Sequence, residues 1–388
     1  MRNYEPLGKH LQLVDTRNSD SITDEVLGIN IDKYFMPSVA NVIGTDLSKY
    51  KLISKGLFAC NPMHVGRDER LPIALYTEDS PALVSPAYFM FKIADETVLN
   101  SEYLMMWFRR PEFDRQCWLR TDGSVRGGIT WDDICRLEVP VIPYEEQLHI
   151  VGNYKVITER IELKRKINDN LAAQATALFK SWFVDYEPFE ADETNKPIGW
   201  VEKSLSQVLT TTTNSVNPQK LQNYGVWHYS IPAFDSDRLP VYDNPQSILS
   251  NKYVVPCNSI LVSKLNPETK RIWMSSDKFE NAICSTEFII YIPNKPEHRD
   301  FYYLLFNTPA FIDFLVSNAT GSTNSRMRVK PTSTLDFCLF LPQDDSVLDD
   351  FCNMVHPMLD TLEKNLFEIR NLRNLIPIAV AKMMSSSR

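Results

Sequence analysis

The fold of this chain is indicated by a stretch that occurs twice, first as Arg110-Pro111-Glu112-Phe113 and again as Thr308-Pro309-Ala310-Phe311. A Gly-Ser pair follows each copy at the same distance, at Gly123-Ser124 and at Gly321-Ser322, so the shared proline, phenylalanine and glycine positions all differ by 198 residues. A repeat of so long a period predicts two copies of a globular unit in a pseudo-symmetric molecule. Such a molecule suits a binding partner with two similar halves, of which a DNA site in two parts is one example.

A long helical pattern follows each copy. Apolar residues keep alternating spacings of three and four over residues 145–183, and again after Leu348, as in the seam of a coiled coil. Polar residues interrupt the seams near the middle, at Lys164, Asn168 and Asn365, where they lower stability but fix the alignment of two helices. We predict that the helices, each roughly 57 Å long at 1.5 Å per residue, form an antiparallel coiled coil. Separate packing of each helix on its own domain is the alternative.

These patterns predict an α+β fold with two pseudo-symmetric globular domains separated by two long helices. The predicted boundaries are 1–144 for the first domain, 145–183 for the central helix, 184–342 for the second domain and 343–388 for the C-terminal helix. Both domains show short strand patterns with a helical insert. In the first, a helix over 102–109 must end or restart at Pro111; in the second, Thr308-Pro309 opens a helix over 310–317.

The composition is that of an ordinary globular protein, with 44% apolar and 23% charged residues. The formal net charge is −8, with acidic excess in both globular domains, which alone does not favour DNA binding because phosphate contacts normally need a basic surface. The seven cysteines include no C-x-x-C pair, which predicts buried thiols in a reducing compartment. We expect a cytoplasmic protein without a membrane segment, because no long apolar run or leader pattern occurs.

The motifs of a catalytic site do not occur in this sequence. None of the 12 glycines opens a phosphate-binding or dinucleotide-binding loop, and the six histidines lack the spacings of metal ligands. The segment Asn61-Pro62-Met63-His64 differs from the Asn-Pro-Pro-aromatic loop of base methyltransferases, because it lacks both the second proline and the aromatic residue. We predict that the chain is not an enzyme and holds no metal ion.

Several segments together resemble the specificity (S) subunit of type I restriction-modification systems. The segment 178–189, Leu-Phe-Lys-Ser-Trp-Phe-Val-Asp-Tyr-Glu-Pro-Phe, is similar to the family's pattern at the end of its central conserved helix. Ile142–Gln147 resembles the entry into that helix, and Lys196–Trp200 resembles the opening of a second target-recognition domain. The two Gly-Ser turns lie where the family has its late turn before the last strand. The resemblance covers essentially the whole chain in order.

This resemblance implies an adaptor that reads DNA for other subunits. Each target-recognition domain would read one half of a bipartite sequence in double-stranded DNA, and the coiled coil would set the separation of the domains. Two methyltransferase (M) subunits and further restriction (R) subunits are the implied partners. S-adenosylmethionine, ATP and magnesium would be bound by those partners, and we expect no cofactor in this chain. The acidic balance implies that the M subunits supply much of the phosphate contact.

The candidate DNA-contacting residues come from four polar segments. Residues 61–70 and 121–128 provide them in the first domain, and residues 263–271 and 321–330 in the second. Arginine, lysine, asparagine, histidine and serine side chains can reach base edges or phosphates. The predicted contacts are Asn61, His64, Arg67, Arg70, Ser124, Arg126, Lys264, Asn266, Lys270, Arg271, Ser322, Asn324, Arg326, Arg328 and Lys330.

Each candidate has a plainer alternative. Any single arginine can be a solvated surface residue, although Arg326, Arg328 and Lys330 form a cluster with no acid in its segment, which favours phosphate contact. Glu287 either accepts from a cytosine amine or pairs with a lysine. The charged residues 159–166 are a solvated helix face or a docking surface for M subunits.

The predicted function is therefore sequence-specific DNA recognition within a type I restriction-modification complex. A coiled-coil scaffold with duplicated protein-binding domains and no DNA readout is the alternative.

Overall fold

The computed structural model describes residues 4–39, 44–63, 65–121, 127–193, 196–221, 225–321 and 327–383. Contacts divide the chain into two compact units. Unit 1 is Met1–Glu159 with Asn374–Arg388, and unit 2 is Arg160–Arg373. The division falls inside both long helices, whereas the sequence pattern gave each helix a segment of its own. The predicted α+β class is confirmed.

Unit 1 is built from short strands and helices around one main apolar core. Its strands are β1 (Tyr4–Pro6), β2 (Leu11–Leu13), β3 (Val26–Ile29), β4 (Phe35–Pro37), β5 (Lys51–Ile53), β6 (Phe58–Cys60), β7 (Ile73–Leu75), β8 (Ala82–Val84), β9 (Phe89–Ile93) and β10 (Glu138–Pro140). Its helices are α1 (Val65–Asp68), α2 (Ser101–Phe108), α3 (Pro111–Trp118), α4 (Trp131–Cys135) and the first part of α5 (Tyr144–Phe183).

Unit 2 contains the elements that follow. Its strands are β11 (Trp200–Ser204), β12 (Leu209–Thr212), β13 (Ser215–Val216), β14 (Val226–Tyr229), β15 (Val241–Asp243), β16 (Lys252–Val254), β17 (Ile260–Ser263), β18 (Ile272–Met274), β19 (Ala282–Ser285), β20 (Phe288–Pro293), β21 (Ala319–Thr320), β22 (Arg328–Val329) and β23 (Cys338–Pro342). Its helices are the rest of α5, then α6 (Leu205–Val208), α7 (Ile231–Asp237), α8 (Arg299–Phe306), α9 (Pro309–Ser317), α10 (Pro331–Thr334) and α11 (Ser346–Met383), whose end belongs to unit 1.

The two units share one strand topology. An antiparallel sheet has the order β2-β9-β6-β7 in unit 1 and β12-β20-β17-β18 in unit 2. A second sheet has the order β5-β8-β3-β4 in unit 1 and β16-β19-β14-β15 in unit 2, where β13 is added at one edge. In each second sheet the central pair is parallel and its neighbours are antiparallel. The duplication predicted from sequence is therefore a duplication of fold.

The repeated proline begins a helix in both units. Pro111 is the first residue of α3 and Pro309 the first residue of α9, because proline lacks only an N–H that this position leaves unpaired. Thr308 caps α9 by accepting a hydrogen bond from the backbone of Phe311. The repeated phenylalanine, Phe113 or Phe311, is buried against an aromatic ring of the preceding helix. The repeat thus marks a helix start and a core contact.

Within unit 2 the two long helices run antiparallel. Asn365 donates to Asn168 (Nδ2–Oδ1 2.8 Å), and both side chains are buried. Lys164 donates to the Oδ1 of Asn365 at 2.8 Å, and Arg160 pairs with Glu368 further along (Nε–Oε1 2.7 Å). Every predicted seam position is buried or half-buried. The polar residues predicted to fix the alignment therefore face one another across the helix pair.

Aromatic residues connect the end of α5 to the core of unit 2. Phe183 lies 4.7 Å from Phe301 and 4.8 Å from Phe351 between ring centroids. Trp182 contacts Phe351 at 5.6 Å. Trp182 and Phe183, in the segment 178–189, therefore pack into the core of unit 2.

The cysteine expectation is met in part. Cys60, Cys117, Cys284 and Cys352 are buried, but Cys257 and Cys338 are exposed on the surface. Neither of the two long helices, nor any other helix in the described ranges, has an apolar segment of the length that a bilayer crossing requires.

Candidate nucleic-acid interface

Two predicted segments lie side by side in each unit, joined by the same two backbone hydrogen bonds. In unit 1, Gly66 donates to the carbonyl of Gly127 at 2.9 Å, and Ile129 donates to that of Pro62 at 3.0 Å. We call residues 61–70 with 127–129 the unit-1 loop pair. The described residues of the two predicted segments therefore meet at Gly66 and Gly127.

The unit-2 loop pair, residues 264–271 with 327–330, repeats this arrangement. Asn266 donates to the carbonyl of Met327 at 2.9 Å, and Val329 donates to that of Lys264 at 3.1 Å. Strand register and these bonds place Pro62 in the position of Lys264, and residues 127–129 in the positions of residues 327–329. The two loop pairs thus have corresponding backbone hydrogen bonds and different side chains, although Gly66 lies four residues after Pro62 and Asn266 only two after Lys264.

The arginines of the unit-1 loop pair are already engaged with acids. Arg67 pairs with the neighbouring Asp68 (Nε–Oδ1 2.6 Å), which raises the pKa of the guanidinium. Arg70 pairs with Asp32 at 3.0 Å. Asn61 is half-buried, and its Oδ1 accepts from the backbone N–H of Met63 at 3.1 Å. His64, Ser124 and Arg126 lie outside the described residues.

In unit 2 the first loop contains one arginine in a bidentate pair. The Nε and Nη2 atoms of Arg271 donate to the two carboxylate oxygens of Asp235 at 2.7 and 2.9 Å, which lowers the pKa of Asp235. Lys270 donates to the carbonyl of Asn307 at 3.2 Å. Asn266 has a left-handed backbone (φ 49°), and its buried Oδ1 has no hydrogen-bond partner among the described residues. An oxygen of this kind is an unused acceptor.

The second loop contains Arg328, which also forms a bidentate pair. Its Nε and Nη2 donate to the two oxygens of Glu287 at 3.0 and 3.1 Å, and this hydrogen bonding raises the pKa of Arg328. The segment 321–330 contains no acid, as its sequence shows, but Glu287 comes from the residue before β20. Glu287 therefore forms an ion pair, as one of its two alternatives had it, but the partner is Arg328 and not a lysine. Ser322, Asn324 and Arg326 lie outside the described residues.

The remaining cations of the unit-2 loop pair are lysines. Lys264, Lys270 and Lys330 form no ion pair with any acid in the described ranges. The described part of the unit-2 loop pair is therefore a mixed surface, with arginines held by acids and lysines that are not paired with an acid. Among the described residues, no group of His, Cys, Asp and Glu side chains could hold a metal ion.

Comparison with known proteins connects this geometry to one family. The chain is 32% identical over 128 residues to the type I restriction enzyme MjaIX specificity subunit of Methanocaldococcus jannaschii. It is 40% identical over 63 residues to the HindI specificity subunit of Haemophilus influenzae. These matches cover 31% and 16% of the chain, and 30% and 14% of the relatives, so the chain matches less than a third of either. No family model matches the sequence.

The fold resembles a solved structure over nearly its whole length. A type I restriction-modification S subunit from M. genitalium superposes with a TM-score of 0.60, covering 98% of this chain and 96% of that one at 14% identity. The chain resembles type I specificity subunits in both sequence and fold. The resemblance predicted from its motifs is confirmed.

One surface of α5 was not predicted from the sequence. Leu163 and Ile167 are 57% and 39% exposed on the helix, although the segment around them was interpreted as a charged face. Their spacing of four residues places them on one side of the helix. The sequence signal that could have predicted this surface is the spacing of four residues between Leu163 and Ile167, neither of which is a seam residue. Leu163 and Ile167 therefore form an exposed apolar stripe on α5.

Proposed function

We propose that this chain is the sequence-specific DNA-recognition subunit of a type I restriction-modification complex. Each loop pair contacts one half of a bipartite site in double-stranded DNA. The observation that carries the proposal is the repeated pair of backbone hydrogen bonds, Gly66–Gly127 with Ile129–Pro62 in unit 1 and its counterpart in unit 2. These bonds fix two loops on each copy of one strand frame, while the side chains on the loops differ.

Base readout requires side chains with defined hydrogen-bonding groups at fixed positions. The loop pairs meet this requirement because their backbones are held to the sheets and their arginines are oriented by carboxylates. Different side chains on the same frame give different half-sites. A protein that read two identical half-sites would have no need for this divergence.

Because the chain has a net negative charge, other subunits contribute part of the DNA binding. With a net charge of −8 and its described loop arginines paired with acids, the chain alone binds DNA weakly. Two M subunits supply the remaining phosphate contacts and the methyltransferase chemistry, with S-adenosylmethionine as their cofactor. R subunits supply ATP- and magnesium-dependent cleavage. The chain itself is an adaptor without catalysis.

The exposed stripe of α5 supports subunit assembly. Leu163 and Ile167 present aliphatic side chains at helical spacing, which fits the apolar face of a helix from an M subunit. Leu163→Glu should lower the affinity for the M subunit at least tenfold. Ala173→Glu adds the same charge to an exposed site on another face of the same helix and should leave the affinity unchanged.

The test of DNA recognition is methylation of a randomised DNA library by the chain assembled with its cognate M subunits. Sequencing the methylated molecules should reveal a bipartite motif with a fixed spacer. Assembly without any sequence preference would favour the coiled-coil scaffold. Replacing both Lys264 and Lys330 by alanine should weaken binding to all sequences evenly and flatten its dependence on salt.

A further inference from the structure

Arg328, in β22, and Glu287, the residue before β20, form a bidentate arginine–carboxylate pair at the unit-2 loop pair. The side chains are 47% and 27% exposed, so both groups can be reached from solvent. The backbone at this point is fixed on both sides. Lys264 donates its N–H to the carbonyl of Glu287 at 2.9 Å, and Val329 donates to the carbonyl of Lys264.

Among the described residues, no group accepts a hydrogen bond from the other edge of the guanidinium. A guanidinium has five N–H groups, and Glu287 accepts one from Nε and one from Nη2. The edge formed by Nη1 and Nη2 still has parallel N–H groups, which is the fork that binds the O6 and N7 atoms of guanine. Because both carboxylate oxygens hold the opposite edge, the plane and direction of this fork are set before DNA arrives.

Unit 1 has neither side chain at the equivalent positions. The matching strand register and hydrogen bonds place Gly128 where unit 2 has Arg328, and Ala87 where it has Glu287. Neither residue can donate to or accept from a base edge through a side chain. The acid and the arginine therefore occur together in one unit and are absent together from the other.

From this geometry we infer that Arg328 reads a guanine in the half-site bound by unit 2, and that Glu287 is the residue that positions its guanidinium. The ligand is the major-groove edge of a G·C base pair in double-stranded DNA. The inference rests on the proposed function and adds to it a base, a unit and two named residues.

The test uses the chain assembled with its cognate M subunits and a randomised DNA library. Wild-type methylation should require guanine at one position of one half-site. Arg328→Lys keeps the charge but loses the fork, so it should lower the preference for guanine at that position about ten- to a hundredfold without changing the salt dependence of binding. Glu287→Gln should lower the preference at the same position and leave the other half-site unchanged.

Asp345→Asn is the matched control, because it removes the acid from another exposed ion pair of unit 2, that with Lys295 (Nζ–Oδ2 2.6 Å). It should leave every position of the motif unchanged. Thermal unfolding of all three variants checks that they are folded.

Three outcomes would overturn the inference. An unchanged motif in Arg328→Lys and Glu287→Gln would make the pair a structural one. If Arg328→Ala weakened binding to all sequences evenly and Arg328→Lys restored that binding, Arg328 would be a phosphate contact. A wild-type complex without any bipartite preference would contradict the proposed function itself, and it is seen before any variant is made.

Discussion

Unit 1 and unit 2 have the same strand orders and the same loop hydrogen bonds, yet they present different side chains at equivalent points. Where unit 2 has Arg328 and Glu287, unit 1 has Gly128 and Ala87. The frame is kept by backbone pairing, which depends little on side-chain identity. The loops on that frame are free to differ. One architecture can therefore support two different readers.

The cores of the units differ as well, although the repeated aromatic contact is kept. Unit 1 buries an ion pair, in which Lys33 donates to Asp114 (Nζ–Oδ1 2.6 Å) and to the carbonyl of Phe108. The position that corresponds to Asp114 at the offset of 198 is Ile312, a buried apolar residue on α9. At this buried position α3 thus has a charged side chain, and the corresponding helix α9 has an apolar one.

The largest effect that we predict comes from breaking this ion pair. Asp114→Asn leaves the buried ammonium of Lys33 without its counter-charge and should lower the free energy of unfolding by about 3–5 kcal/mol. Ile312→Val in unit 2 is the control and should cost only about 0.5–1.5 kcal/mol. Chemical denaturation of the full chain measures both, and equal losses would contradict the contrast between the units.

The pH dependence of Asp114→Asn follows from Lys33. Burial lowers the pKa of Lys33 in the folded chain, and Asp114 opposes that effect. Without Asp114 the unfolded chain binds more protons than the folded chain between the two pKa values of Lys33, so stability rises with pH there. The deficit of the variant should therefore shrink as the pH is raised from neutral into the alkaline range. A deficit independent of pH would contradict a charged Lys33 as its cause.

The polar layer between the helices of unit 2 gives the next largest effect. Asn168→Leu removes the acceptor of Asn365 and leaves a buried amide unsatisfied, which should cost about 1–3 kcal/mol. Replacing Asn168 and Asn365 together by leucine should recover that loss, because no unpaired amide remains, but it also removes the feature that fixes the alignment of the helices. Asn170→Leu, on the exposed face of the same helix, should change stability little. Denaturant unfolding of the three variants separates these cases.

The sequence predicted the periodic and repeated features of the two units well. The helix pair with its polar residues and the start of α9 at Pro309 follow from local spacing, and the duplicated fold follows from the repeat. Such features depend on residues that are close in the chain, or on comparison of one copy with the other.

Three of the four acids that hold the described loop arginines could not be predicted in this way. Asp32, Asp235 and Glu287 lie 38, 36 and 41 residues from their arginines. Ion pairs over such separations follow no period, and they form only when the sheets bring the strands together. The segment 321–330 contains no acid in its sequence, but the fold places Glu287 beside its Arg328.

The smallest effect that we predict tests why unit 1 has glycine where unit 2 has arginine. A Cβ at Gly128 would lie 3.0 Å from the carbonyl oxygen of Pro62, the acceptor of the Ile129 hydrogen bond that joins the unit-1 loop pair. Gly128→Ala should therefore push the two loops apart and cost about 1 kcal/mol. In the assembled complex it should weaken the preference for one half-site, while Arg328→Ala alters the preference for the other. If both variants changed the same half-site, the two loop pairs would not be independent readers.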